Sequence, residues 1–166
     1  MSDTKTSRTS TTLTGLAGEY YVLAQLAVRG FVGALTLGTS KGVDILASNP
    51  KTGRLFRGEV KTTRAKPRKA KIHGEGNFYT WWMDVKHELD RGKDLVYCFV
   101  ALQANDRLPR FFVVPSGAVA DHLTAEHERW RKSKGPGLVK DNDGRTFRAS
   151  EDNREKWEND WSVLEA

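Results

Sequence analysis

The spacing of apolar positions divides the chain into alternating helical and extended segments. In LTGLAGEYYVLAQLAVRG, Leu13, Leu16, Tyr20, Leu23, Ala24 and Ala27 recur at helical spacing, and Gly30 supplies a stop. FVGALTLG reads as a short strand. KGVDILAS and RLFRGEVKTT read as two strands joined by the turn NPKTG. TWWMDVKHELDRG predicts a helix, with Trp82, Val85 and Leu89 on one side and Gly92 past its end. DLVYCFVAL is a near-continuous apolar run, the pattern of a central strand covered on both faces. RFFVVP predicts a further strand, and SGAVADHLTAEHERWRK a helix with Ser116 as its N-cap. Residues 133–153 are polar, with GPG and DNDG, and read as irregular; Trp157, Trp161 and Leu164 suggest a short terminal helix. Helix, three strands, helix, strand, strand, helix is the order of an α/β layered domain with a mixed sheet. The polar, Ser/Thr-rich residues 1–12 predict a disordered tail, and residues 13–166 a single domain.

Composition narrows the partners. The 166 residues carry a net charge of +6, which suits an anionic partner, nucleic acid first. The one cysteine, Cys98, lies inside LVYCFVAL and reads as a buried small hydrophobe. No signal peptide and no membrane-length apolar run is visible, so the expected location is the cytoplasm, with no membrane partner.

The candidate chemistry sits in the hairpin from 41 to 63, where apolar strands carry Asp44, Glu59 and Lys61. Glu59 and Lys61 alternate onto the same strand face. A four-residue loop at 50–53 places Asn49 against Arg54, and the same register places Asp44 opposite Glu59. Opposed side chains have Cβ atoms about 5 Å apart, where two carboxylates repel unless a divalent cation lies between them. Glu19 lies on a helix flank with Gly15, Leu16, Val22, Leu23 and Leu26, a side expected to face the sheet.

Asp44, fourteen intervening residues, then Glu59-Val60-Lys61 resembles the D…ExK signature of the PD-(D/E)XK nuclease superfamily. Val43 stands where that signature has its proline. The order of elements from Leu13 to Leu102 is similar to that family's core, so a restriction-endonuclease-like fold is expected: αβββαβ, then an extra strand and helix. Glu19 in GLAGEYYVLAQLAVRGF resembles the first-helix glutamate of Holliday-junction-resolvase-like members. The resemblance implies a metal-dependent endodeoxyribonuclease of repair, recombination or defence. In it Asp44, Glu59 and the Val60 carbonyl would bind Mg2+ or Mn2+. Lys61 would orient the attacking water, and Glu19 would bind a second metal or its water. A homodimer would serve double-strand cleavage.

The run KTTRAKPRKAK follows directly, so Arg64, Lys66, Arg68, Lys69 and Lys71 are candidates for phosphate contacts with DNA, the alternative being a solvated loop. Phe78, Tyr79 or Trp81 would offer stacking surfaces or simply fill the core, and His73 reads as exposed. LGTSKG lacks the spacing of a nucleotide-phosphate loop. His122 and His127 are five apart and do not share a helix face, and Ser116 has no nucleophile elbow. Two other functions stay open at this level: a non-catalytic nucleic-acid-binding module on the same fold, and an interaction protein of unrelated α/β fold.

Overall fold

The computed structural model describes residues 10–37, 42–73, 75–104, 107–135, 142–151 and 156–165. Helix α1 (Thr11–Val28) opens where the Ser10 hydroxyl accepts the Leu13 N–H at 3.2 Å, and the chain turns away at Gly30, φ +82°. It thus begins within the stretch expected to be a disordered tail; the rest of that expectation, residues 1–9, lies outside the described residues. Five strands form the main sheet, in the order β1 (Val32–Leu35), β2 (Ile45–Ser48), β3 (Leu55–Thr63), β6 (Leu95–Ala101) and β7 (Arg110–Pro115). β3 and β6 are parallel, and the other neighbours are antiparallel.

The link from β3 to β6 departs from expectation. The predicted helix around Trp82 is a strand, β5 (Asn77–Asp84), followed by a 3₁₀ turn at Val85–Glu88. Tyr79, Trp81 and Met83 are buried, whereas Trp82 is 78% and Leu89 84% exposed, so the period is two. With β4 (Arg68–Lys69) and β8 (Gly144–Ser150), β5 makes a second, three-stranded sheet. β8 lies in the region expected to be irregular. Helix α2 (Ser116–Lys134) follows β7, but Ser116 does not cap it: its hydroxyl is buried and donates to the Gly92 carbonyl at 2.7 Å. The terminal helix shrinks to a 3₁₀ turn, Trp161–Leu164.

The main sheet is the middle layer. Val96, Cys98 and Val100 of β6 face α1 and the terminal turn; Leu95, Tyr97, Phe99 and Ala101 face the small sheet and α2. All seven residues of β6 are buried, as an apolar run without alternation predicts. Cys98 is buried, and burial pushes its thiol up to about 12, so it serves as core. The stripe expected on α1 is rotated. Gly18, Val22 and Leu26 are buried, and Leu13 and Tyr20 are more than half exposed. Gly18 sets that face, because a Cβ there would fall 1.9 Å from Thr62 Oγ1; only glycine lets the helix lie this close to β3. Among the described residues, no helix is long and apolar enough to cross a membrane.

Candidate active site

The β2–β3 hairpin has the register its turn predicts. Ile45 pairs with Gly58, Leu46 with Arg57 and Ser48 with Leu55, and the Asn49 N–H donates to the Arg54 carbonyl at 2.9 Å. Asp44 lies one residue beyond the last pair, where the ladder changes character. Its own N–H donates to the Gly58 carbonyl at 2.9 Å, while the Val60 N–H donates to Asp44 Oδ2 at 2.7 Å. A side-chain carboxylate thus replaces a backbone carbonyl at the end of the ladder, and this fixes the head group at the point where β2 and β3 part.

Glu59 is the most buried carboxylate of the set, 3% exposed. Lys61 Nζ lies 2.5 Å from its Oε1, as residues two apart on one strand face allow. Oε2 is buried and has no hydrogen-bond partner among the described residues. Gly42 (φ +76°) borders it: a Cβ at Gly42 would stand in van der Waals contact with that oxygen, 3.5 Å away. A buried carboxylate oxygen with no donor is costly, and a cation would offset that cost.

Behind Glu59 lie two groups that the sequence did not single out. The Tyr97 hydroxyl is 2.8 Å from His87 Nδ1, and His87 Nε2 is 3.7 Å from Glu59 Oε1. Burial, then the Glu59 charge, raises the Tyr97 phenol beyond any physiological ionisation. It therefore stays neutral and shares one hydrogen bond with Nδ1, whose direction follows the imidazole tautomer. Burial lowers the His87 pKa, with the Glu59 charge opposing. The signal that places His87 here is its 3₁₀ turn after β5, hidden when that region is read as a helix.

Glu19 reaches the same centre from the helix layer. Burial raises its pKa, and so does the nearby charge of Asp44. Asp44 is itself raised, first by burial; the Val60 hydrogen bond and Lys61 work against this, and Glu59 adds to it. Asp44 is thus the member that feels Glu19, Glu59 and Lys61 together. Among the described residues, no three His, Cys, Asp or Glu side chains form a preformed metal cage. Two carboxylates, a backbone carbonyl and several waters are the donor set magnesium accepts, and the orphaned Glu59 oxygen fits that set.

The basic run is exposed at Arg64, Lys66, Arg68 and Lys69, none of which is ion-paired among the described residues. Arg68 and Lys69 form β4, opposite Phe78 and Asn77. Lys71 opens a 3₁₀ turn, and its side chain lies outside the described residues. Tyr79 and Trp81 are core. His73 is not exposed: its side chain is 8% accessible, with Nε2 3.0 Å from Glu126 Oε2 on α2.

No protein-family model and no curated protein sequence matches the chain. The fold is similar to the solved structure of a bacterial homing endonuclease, I-Ssp6803I, at a TM-score of 0.51 and 17% identity, over 95% of this chain and 94% of that one. At this identity the likeness concerns the fold alone, and that fold is nuclease-like.

Proposed function

We propose that this protein is a divalent-metal-dependent endonuclease of PD-(D/E)XK type that hydrolyses phosphodiester bonds in DNA. The observation that carries the reading is Glu59: a buried carboxylate with one oxygen on Lys61 and the other without a hydrogen-bond partner among the described residues. Asp44, Glu59 and the Val60 carbonyl would hold Mg2+ or Mn2+. The metal would supply positive charge against the scissile phosphate and acidify the attacking water. Lys61 adds fixed positive charge where charge develops on the phosphate, and its amine orients the water. The Val60 N–H holds the Asp44 carboxylate in place, and Glu19 widens the acidic rim toward a second metal or its water. Arg64, Lys66, Arg68, Lys69 and Lys71 would track the DNA backbone without regard to sequence. A double-strand break would take two copies, because one centre cuts one strand.

The test is nicking of supercoiled plasmid with magnesium, manganese or EDTA, by wild type and Lys61→Ala purified side by side. The expected result is metal-dependent nicking by wild type and a loss of ~10²-fold or more in the variant. Equal rates in both proteins, or nicking that persists in EDTA, overturn the reading. Duplex binding with no turnover of plasmid or branched DNA would leave a binding module on the nuclease-like fold.

A further inference from the structure

We propose that the outer face of β5 and the C-terminal half of α2 form a binding site for single-stranded nucleic acid, with Trp82 stacking on an unpaired base. The alternation that buries Trp81 turns Trp82 to solvent. Trp81 is 3% exposed, and its indole N–H donates to the Val100 carbonyl at 3.2 Å; Trp82 is 78% exposed. Trp82 has no ring partner among the described residues. A large indole left bare on a sheet face has the shape of a stacking platform rather than of a core residue.

Trp82 lines a cavity of about 310 Å³ with Ile72, Trp130, Thr146 and Arg148. Thr146 stands directly opposite Trp82 on β8, and Trp130 comes from α2 and stacks on His127. The cavity therefore has an indole on the sheet side and another on the helix side. The one buried acid in the wall, Glu126, is already neutralised by Arg129 and Arg148.

The rim is cationic. Arg68 lies directly opposite Phe78, on the outward face shared with Thr80 and Trp82. Lys134, one helical turn after Trp130, lies on the same side of α2, and Arg131 and Lys132 flank it, all exposed. None of these four is ion-paired among the described residues. A bare indole at Trp82, set among unpaired cations, matches a polyanion whose rings are accessible. That describes a single strand, not a duplex, whose bases are stacked on one another.

The experiment uses Lys61→Ala protein in EDTA, so its outcome does not depend on cleavage. Anisotropy of a labelled short oligothymidylate is measured, with a duplex of equal length and heparin as comparisons. Trp82 is exposed, so Trp82→Ala leaves the core intact. Added to Lys61→Ala, it is expected to weaken oligothymidylate binding about tenfold or more. Duplex and heparin binding should stay unchanged, and Trp82→Phe should restore most of the single-strand affinity. The proposal is overturned if Trp82→Ala binds the oligonucleotide as tightly as its parent. It is equally overturned if affinity for duplex and heparin falls in parallel, because charge alone would then account for the binding.

Discussion

Asp44 is a carboxylate kept where water would serve it better. Burial raises its pKa, and the charge of Glu59 adds to the rise. A carboxyl with a raised folded pKa stabilises the fold while protonated, and that stability is lost as pH rises through the folded value. Asp44→Asn removes the charge yet keeps an oxygen for the Val60 N–H. In EDTA at pH 7 it should therefore raise the melting temperature by about 2–4 °C, on the order of 1 kcal/mol, while abolishing nicking. The gain should vanish in acid; an equal or lower melting temperature at pH 7 would contradict the account. The Asp44–Glu59–Lys61 grouping was legible in the sequence because turn length fixes register, and register fixes which residues meet. The break in the ladder at Asp44 was not legible, since it depends on the Val60 N–H finding a side chain instead of a carbonyl. His87 stayed hidden for another reason: it comes from a turn whose position depends on β5.

At the scale of elements, one close approach holds the helix layer to the site. Gly18 against Thr62 lets α1 bring Glu19 toward Asp44. Gly18→Ala should cost about 1–3 kcal/mol of overpacking, less ~1 kcal/mol regained from helix propensity. Thermal unfolding of Gly18→Ala, and of Gly18→Ala with Thr62→Ala, measures this: the second change removes Oγ1 and should recover most of the loss. No loss in the single variant would mean that the helix shifts freely. The strand β5 shows why a sequence pattern can mislead. Trp82, Val85 and Leu89 stand at helical spacing, and the adjacent Trp81 suits either period. The aromatic content of NFYTWW favours a strand, and the burial of Tyr79, Trp81 and Met83 decides it. β8 was illegible because its residues look polar in isolation; Phe147 and Ala149 become core only against β5 and α2.

For the whole molecule, the buried histidines set the acid limit. His122 accepts the Arg148 N–H on Nε2, and burial lowers it from 6.5 to about 4. Burial also lowers His73 and His87. A histidine depressed in the fold takes its proton first in the unfolded chain, so stability falls as pH drops from 6.5 to about 4. For His122 the loss is at most ~3 kcal/mol. Urea unfolding at pH 7 and pH 4.5 should show the lower midpoint in acid, and His122→Gln should flatten the difference. An unchanged slope would remove His122 from the account. Asp44 and Glu19 act with the opposite sign.

The strand excursion between β3 and β6 also bears on the order of folding. These two are the parallel pair at the centre of the main sheet, and residues 64–94 must close as a loop before they can meet. Closing a long segment costs entropy before any pairing repays it, so non-local parallel pairing forms slowly. The β2–β3 hairpin is local and can form first, with Glu59 and Lys61 still in water. The desolvated carboxylate then arises only as β6 docks and brings Tyr97 against it. Burial of Glu59 thus waits for the same non-local step that brings the seven core residues of β6 into the sheet.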